Sequence, residues 1–256
     1  SEDETKGLSA LALDELLQEQ AQDERLIRVT DAFGVDGGVE LITRLSDLFA
    51  LAPGGMADFD FGPAPAPASA QFVQRVLSEY EQAAAELEEL GVPQDKKTYV
   101  DNYDAILKTI CLLTEWLGGT AQKDSWQDIC VLFDDCTAVK GGSFKQEYKK
   151  IFNDCKAALL EAQVEASCAV AHENLLAAAT LACEHVKKHR DLKRQRGALD
   201  TNDLLIAAYR MLVQDPSIAE EYRSHFDSVM VDEFQDTDSL QVGIIEQLCN
   251  DDLATL

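Results

Sequence analysis

No apolar run in this chain approaches the ~20 residues that would span a bilayer, so no membrane partner is expected. The start, Ser1-Glu2-Asp3-Glu4-Thr5, is acidic and polar, unlike a signal or transit peptide. No Cys-x-x-Cys pair occurs among the seven cysteines (Cys111, Cys130, Cys136, Cys155, Cys168, Cys183 and Cys249), and the four histidines are scattered. That spacing argues against a zinc ribbon or a dithiol redox centre, and fits reduced, buried thiols in a cytoplasmic protein. Cations are scarce: 22 Lys and Arg face 47 Asp and Glu, for a formal net charge of -25. Such a balance excludes a surface that is a nucleic-acid platform throughout. Also absent is any Gly-x-x-x-x-Gly-Lys-Ser/Thr loop, so nothing in these 256 residues matches the segment that cradles nucleotide β- and γ-phosphates.

What is present is mostly helical periodicity. Leu8, Leu11, Leu13, Leu16 and Leu17 predict an amphipathic helix over 8–20, with Ser9 as its N-cap. Residues 24–32 read equally as a strand or a continuing helix, and Gly37-Gly38 punctuates the chain before Val39, Leu41, Ile42, Leu45, Leu48 and Phe49. From Pro53 to Ser69 four prolines and three glycines exclude a persistent helix or a central strand. This should be a loop, tacked to the core by Phe59 and Phe61. Helices follow from Ser69 to about Gly91, from about Thr98 to Gly118-Gly119, and around Trp126 to Phe133, joined by short Gly-bearing connections that imply antiparallel neighbours. Trp116 and Trp126 fall at core spacing, with base stacking as the rarer use of such rings.

Between Ser143 and Arg196 there is neither Gly nor Pro. An unbroken helix there would run roughly 80 Å; Asn153-Asp154 and His172-Glu173-Asn174 are the poor helix formers at which it could bend. Its end carries the chain's one dense basic cluster, Lys187, Lys188, Arg190, Lys193, Arg194 and Arg196, opposed by Asp191. Two readings stand: a phosphate-contacting patch, or a solvated helix terminus whose charge suits the helix dipole before Gly197. Beyond Gly197, Asp200 should cap a helix that Asp215-Pro216 ends or interrupts.

The stretch with the most chemistry comes next. Val229-Met230-Val231 is too short for a helix and suits a buried parallel strand. Asp232 and Glu233 follow at its carboxyl end, where open α/β sheets hold ligands. A polar turn, Gln235 to Asp238, leads to a helix marked by Leu240, Ile244, Ile245 and Leu248. Strand, paired acids, turn and helix make the layout of a Walker B element, in which one acid holds Mg²⁺ and the next activates water.

The longer string Val231-Asp232-Glu233-Phe234-Gln235-Asp236-Thr237, with Gln241 four residues on, closely resembles motif II of the UvrD/Rep-type superfamily 1 DNA helicases. Upstream, Gly197-Ala198-Leu199-Asp200-Thr201-Asn202-Asp203-Leu204-Leu205 is similar to that family's Asp-Phe-x-Asp-Leu-Leu segment, with Thr201 in place of the usual Phe. The run from His185 to Leu205 resembles the family's junction helix, with Lys193 at its recurrent Lys. The large acidic region before it leans towards the AddA-type helicase-nuclease branch.

The resemblance implies a mainly α chain: a helical accessory (1B-like) subdomain over 1–196, then a small α/β piece of a RecA-like motor domain over 197–256. It implies an ATP-dependent DNA helicase or translocase of repair or recombination, using ATP and Mg²⁺, with single-stranded or duplex DNA and a helicase-nuclease partner subunit. Asp232 would be the metal ligand, Glu233 the catalytic base and Gln235 the residue sensing the nucleotide; Lys187, Lys188, Arg190, Lys193 and Arg194 are the candidate DNA contacts. The family's downstream Gly-Asp-x-x-Gln motif and arginine finger are missing, so the chain reads as a fragment inactive alone and binding no cofactor by itself. The competing reading is a non-enzymatic, acidic helical module that binds proteins.

Overall fold

The computed structural model describes residues 2–119, 125–226 and 228–249. In chain order the helices are α1 (Glu2–Glu19), α2 (Glu24–Leu51), α3 (Ala70–Leu90), α4 (Lys97–Gly118), α5 (Trp126–Asp134), α6 (Gln146–Arg196), α7 (Thr201–Gln214), α8 (Pro216–His225) and α9 (Ser239–Leu248). Short 3-10 turns span Gly55–Asp58 and Phe234–Asp236. The mainly α expectation is met; the α/β piece is not. Among the described residues there is no strand, and Val229 to Val231 is irregular, with Met230 86% exposed. The reason is physical: a helix satisfies its own backbone, whereas a strand exists only against a neighbour that takes its N–H and C=O groups.

Chain contacts divide the protein into two compact units, one of Ser1–Gly62 with Asn174–Leu256, the other of Pro63–Glu173. That division follows packing, while the boundary at 196 followed motifs, and the two do not coincide.

In the unit of Pro63–Glu173, α3 turns Val73, Val76, Leu77, Tyr80, Ala84 and Leu87 inward at helical spacing and packs on α4. The early part of α6 supplies Tyr148, Phe152, Cys155 and Leu159 to the same core. Tyr99 sits edge-on to Phe144 and Tyr148 with ring centres 4.9 and 5.0 Å away, the arrangement that aromatic quadrupoles favour. Trp126 is buried, T-stacked on Phe72, and its indole N–H donates to the Ala66 carbonyl at 2.9 Å. Trp116 packs against this core as well. Both tryptophans are therefore packing residues. Burial pushes the Cys136 and Cys155 thiols up to about 12, yet Cys111 and Cys168 are exposed, so only part of the buried-thiol expectation holds.

In the other unit, residues 24–32 resolve as helix. Asp23 caps α2 by accepting the Arg25 N–H at 2.7 Å, and the Arg25 guanidinium returns to Asp23 at 2.7 Å and reaches Glu184 at 2.6 Å. The break in α2 lies at Gly34 (φ 73°) and not at Gly37-Gly38. Gly38 is buried, where an added Cβ would come 3.0 Å from Val29 Cγ1. Phe59 and Phe61 do tack the proline-rich loop down, with ring centres 5.2 and 6.4 Å from that of Phe49. Ser9 lies inside α1 and does not cap it. His185 joins Ser46 Oγ (2.9 Å) to the Ser9 carbonyl (3.0 Å), and His189 Nε2 donates to the Thr5 carbonyl at 3.1 Å. Helix α6 runs its 51 residues without a break at Asn153-Asp154 or His172-Glu173-Asn174.

Candidate functional site

The acidic motif lies between α8 and α9. Asp238 caps α9 by accepting the Gln241 N–H at 2.8 Å, and Leu240 is fully buried beneath it. On α9, Gly243 meets the Tyr209 ring of α7 so closely that a Cβ there would lie 2.8 Å from Cε2. That contact sets how near α9 approaches α7.

Glu233 adopts φ 53° and ψ 46°, and it is the one non-glycine with positive φ among the described residues. The left-handed region costs a residue with a Cβ about 1–2 kcal/mol, and such strain gathers at functional sites. What sustains it is local. Asp232 Oδ1 accepts the Glu233 N–H at 3.0 Å, the Glu233 carbonyl accepts from Asp236 N at 2.9 Å, and the Gln235 amide donates to Glu233 Oε2. The side chains of Asp232, Glu233 and Gln235 are all exposed. Two adjacent solvent-facing carboxylates form a donor set that suits a hard divalent cation such as Mg²⁺. The motif residues are thus brought together, on a turn and not on a strand end.

The basic end of α6 is organised differently. Gly197 (φ 61°) closes the helix: its N–H donates to the Arg194 carbonyl at 3.2 Å and the Ala198 N–H to the Lys193 carbonyl at 2.9 Å, a Schellman ending that only glycine adopts without strain. Asp200 then opens α7 in a reciprocal capping box with Asp203, each carboxylate accepting the other residue's backbone N–H (2.9 and 3.1 Å). The tight reversal returns both acids to Lys193, whose ammonium donates to Asp200 at 2.9 Å and to Asp203 at 2.7 Å. Burial pushes the Asp200 carboxyl up; the hydrogen bonds from Lys193 and from the Asp203 backbone N–H outweigh it, and the net direction is down.

The five expected DNA contacts therefore separate. Lys193 is buried between two aspartates, and Lys188 donates to Glu19 at 2.6 Å and lies 3.3 Å from Glu15. Lys187 and Arg194 are exposed and Arg190 is half-buried; Arg194 has Asp191 at 3.6 Å. Sequence reading missed the Lys193–Asp200–Asp203 cluster, although the signal was present in a lysine one turn before a helix-ending glycine and two aspartates spaced as a capping box. It also missed Arg210, an exposed cation on α7 that faces the same hollow as Arg190.

The profile of the UvrD/REP helicase N-terminal domain matches residues 68–256. The chain belongs to that family. Among curated relatives, an ATP-dependent helicase/nuclease subunit of Natranaerobius thermophilus is 43% identical over 61 residues, which is 24% of this chain and 5% of the relative. The protein of the same name from Lactobacillus delbrueckii is 40% identical over 76 residues (28% and 6%), and the exonuclease/helicase subunit RexA of Lactococcus lactis 34% over 64 residues (25% and 5%). The stretches shared with these UvrD/REP relatives are thus a small part of their length. No solved structure matches this UvrD/REP chain significantly.

Proposed function

We propose that this chain belongs to the motor of an ATP-dependent DNA helicase, in which Asp232 and Glu233 work on a nucleotide held by other parts of the longer protein. The observation that carries the reading is the pair of adjacent, exposed carboxylates on a strained turn, inside a stretch assigned to the UvrD/REP family.

Asp232 would hold Mg²⁺, whose charge neutralises that developing on the phosphates. Glu233 would orient the attacking water and accept its proton, its carboxylate being exposed on the left-handed turn. Gln235, already bonded to Glu233, links the base to the nucleotide and to DNA. In the intact motor, Val229 to Val231 is proposed to pair as a strand with neighbours from outside these residues, giving the exposed Met230 a face to pack on. The 256 residues alone should hydrolyse no ATP, for want of a phosphate-cradling loop. DNA contact is assigned to the free cations at the end of α6. A cytoplasmic setting and a helicase-nuclease partner subunit are part of the same proposal, which the kinship with helicase/nuclease subunits supports.

The test is Glu233→Gln in the intact enzyme. Loss of DNA-stimulated ATPase by at least two orders of magnitude, with nucleotide binding retained, supports the assignment; normal ATPase refutes it.

A further inference from the structure

Two histidines of α6, His185 and His189, stand one turn apart with their rings stacked, centres 6.3 Å from each other. Each reaches a different turn of α1. His185 Nε2 lies 3.0 Å from the Ser9 carbonyl, and His189 Nε2 lies 3.1 Å from the Thr5 carbonyl. Thr5 and Ser9 are also one helical turn apart, so the spacing on one helix matches that on the other. A carbonyl oxygen only accepts, so both Nε2 atoms must carry a proton, and both rings hold α1 as donors. The end of α1 is fastened differently, by the Lys188 ammonium, which donates to Glu19 at 2.6 Å and lies 3.3 Å from Glu15.

A proton acts unequally on these two fastenings. The hydrogen bond with Glu19 raises Lys188 further above its ordinary range, so the ammonium keeps its charge at neutral and mildly acid pH. His189 is half-buried beside cations: Lys193, 7% exposed, one turn onward, and His185 one turn back. The anion that acts on it, Asp200, is already bonded to Lys193 at 2.9 Å. Burial and then Lys193 push the ring below its ordinary value of 6.5; the Thr5 carbonyl and Asp200 oppose them without reversing the direction. A second proton on His189 would add no bond to α1, because Nε2 donates already, and would place a new charge beside Lys193.

We propose that His185 and His189 form a proton-sensitive latch, in which neutral rings hold the start of α1 on α6 and a proton taken up by His189 in mild acid loosens it. A ring depressed in the latched state favours latching above its unlatched value. That contribution is lost as pH falls from about 6.5 towards the latched value. Loosening would bare Leu8 and Ala12, which are buried in α1. It would also reach the bend into α7, since Lys193 is shared with Asp200 and Asp203.

The experiment is hydrogen–deuterium exchange on the full 256-residue chain at pH 7.5 and pH 5.5. Rates are expressed as protection factors, which removes the intrinsic effect of pH on exchange. Protection across residues 8–14 should fall by about threefold or more at pH 5.5, while that of α3, in the other unit, holds. His189→Gln keeps a side-chain N–H for the Thr5 carbonyl but takes no proton, so it should retain at pH 5.5 the protection it has at pH 7.5. No fall in the parent, an equal fall in α3, or an equal fall in His189→Gln would overturn the latch. If the variant loosens α1 at both pH values, the parent's own His189 ring decides, followed by NMR at Cε1. Titration below 6.5 together with the loss of protection supports the latch; titration at or above 6.5 overturns it.

Discussion

Both carboxylate oxygens of Asp203 lie 2.7 Å from the ammonium of Lys193. Ten residues apart in sequence, the two are joined because Gly197 reverses the chain between α6 and α7. Removing the lysine would leave Asp200 and Asp203 facing each other without a counter-charge, whereas removing all three would leave none. Breaking one partner of such a buried set costs about 3 kcal/mol or more. Lys193→Met, which keeps the aliphatic stem, should therefore lower the urea midpoint with little change in slope. A variant as stable as the parent would mean that the cluster is solvated and contributes little.

Acid should act on the same unit from another point. The Arg25 side chain and backbone N–H hold the Asp23 carboxyl down to about 2, from 3.8 when unperturbed. A depressed acid favours the folded state above its unfolded value, and that contribution is lost as pH falls through the folded one. Asp200 shifts in the same direction. Stability should thus decline on acidification below about pH 4, towards pH 2. Asp23→Asn keeps a capping oxygen for α2 but removes the titration, so its pH–stability curve should be flatter in that window. An unchanged curve would rule out the Arg25 pair as a source of acid sensitivity.

Much of the helical scaffold could be read from residues alone, because helices are local. The apolar spacing of Val73 to Leu87, the capping Asp200 and the stop at Asp215-Pro216 each act within a few positions, and each appears where expected. The misreadings involve partners distant in sequence. Ser9 cannot be recognised as an interior helical residue without His185, 176 positions away, and the Gly34 break cannot be told from Gly37-Gly38 without knowing that Val29 packs on Gly38. The strand at Val229 failed for the same reason, since a ladder partner is never local. The acidic motif was legible as a string of residue types, but the left-handed Glu233 was not: no propensity places a glutamate there.

Gly243 offers a direct test of how closely α9 sits on α7. Alanine is the better helix former by about 1 kcal/mol, so in an open site Gly243→Ala would stabilise. Here the new Cβ would fall 2.8 Å from the Tyr209 ring. Overpacking of this kind costs about 1–3 kcal/mol, which outweighs the propensity gain. The variant should be less stable than the parent, and Tyr209→Ala in the same chain should reverse the sign of the glycine substitution. Stabilisation by Gly243→Ala alone would show that the ring moves freely.

In the unit of Pro63–Glu173, a single side-chain amide replaces two missing backbone partners. Asn102 is 1% exposed; its side-chain N–H donates to the Lys140 carbonyl and its carbonyl accepts the Lys140 N–H, both at 2.9 Å. The loop at Lys140 has no helix to satisfy these groups, so Asn102 acts as a one-residue strand for it. Asn102→Ala would leave an N–H and a C=O unpaired, at about 1–3 kcal/mol for each group that stays buried, and open a small cavity besides. Asn102→Asp separates the two bonds, since an ionised carboxylate still accepts from the Lys140 N–H but cannot donate to its carbonyl. The expected order of stability at neutral pH is Asn, then Asp, then Ala, read from thermal melts monitored by the fluorescence of Trp116 and Trp126 together. Acidification should bring the Asp variant towards the parent as its carboxyl gains a proton to donate. If Ala were as stable as Asn, the loop would have to be satisfied by water, and the clamp would carry no energy.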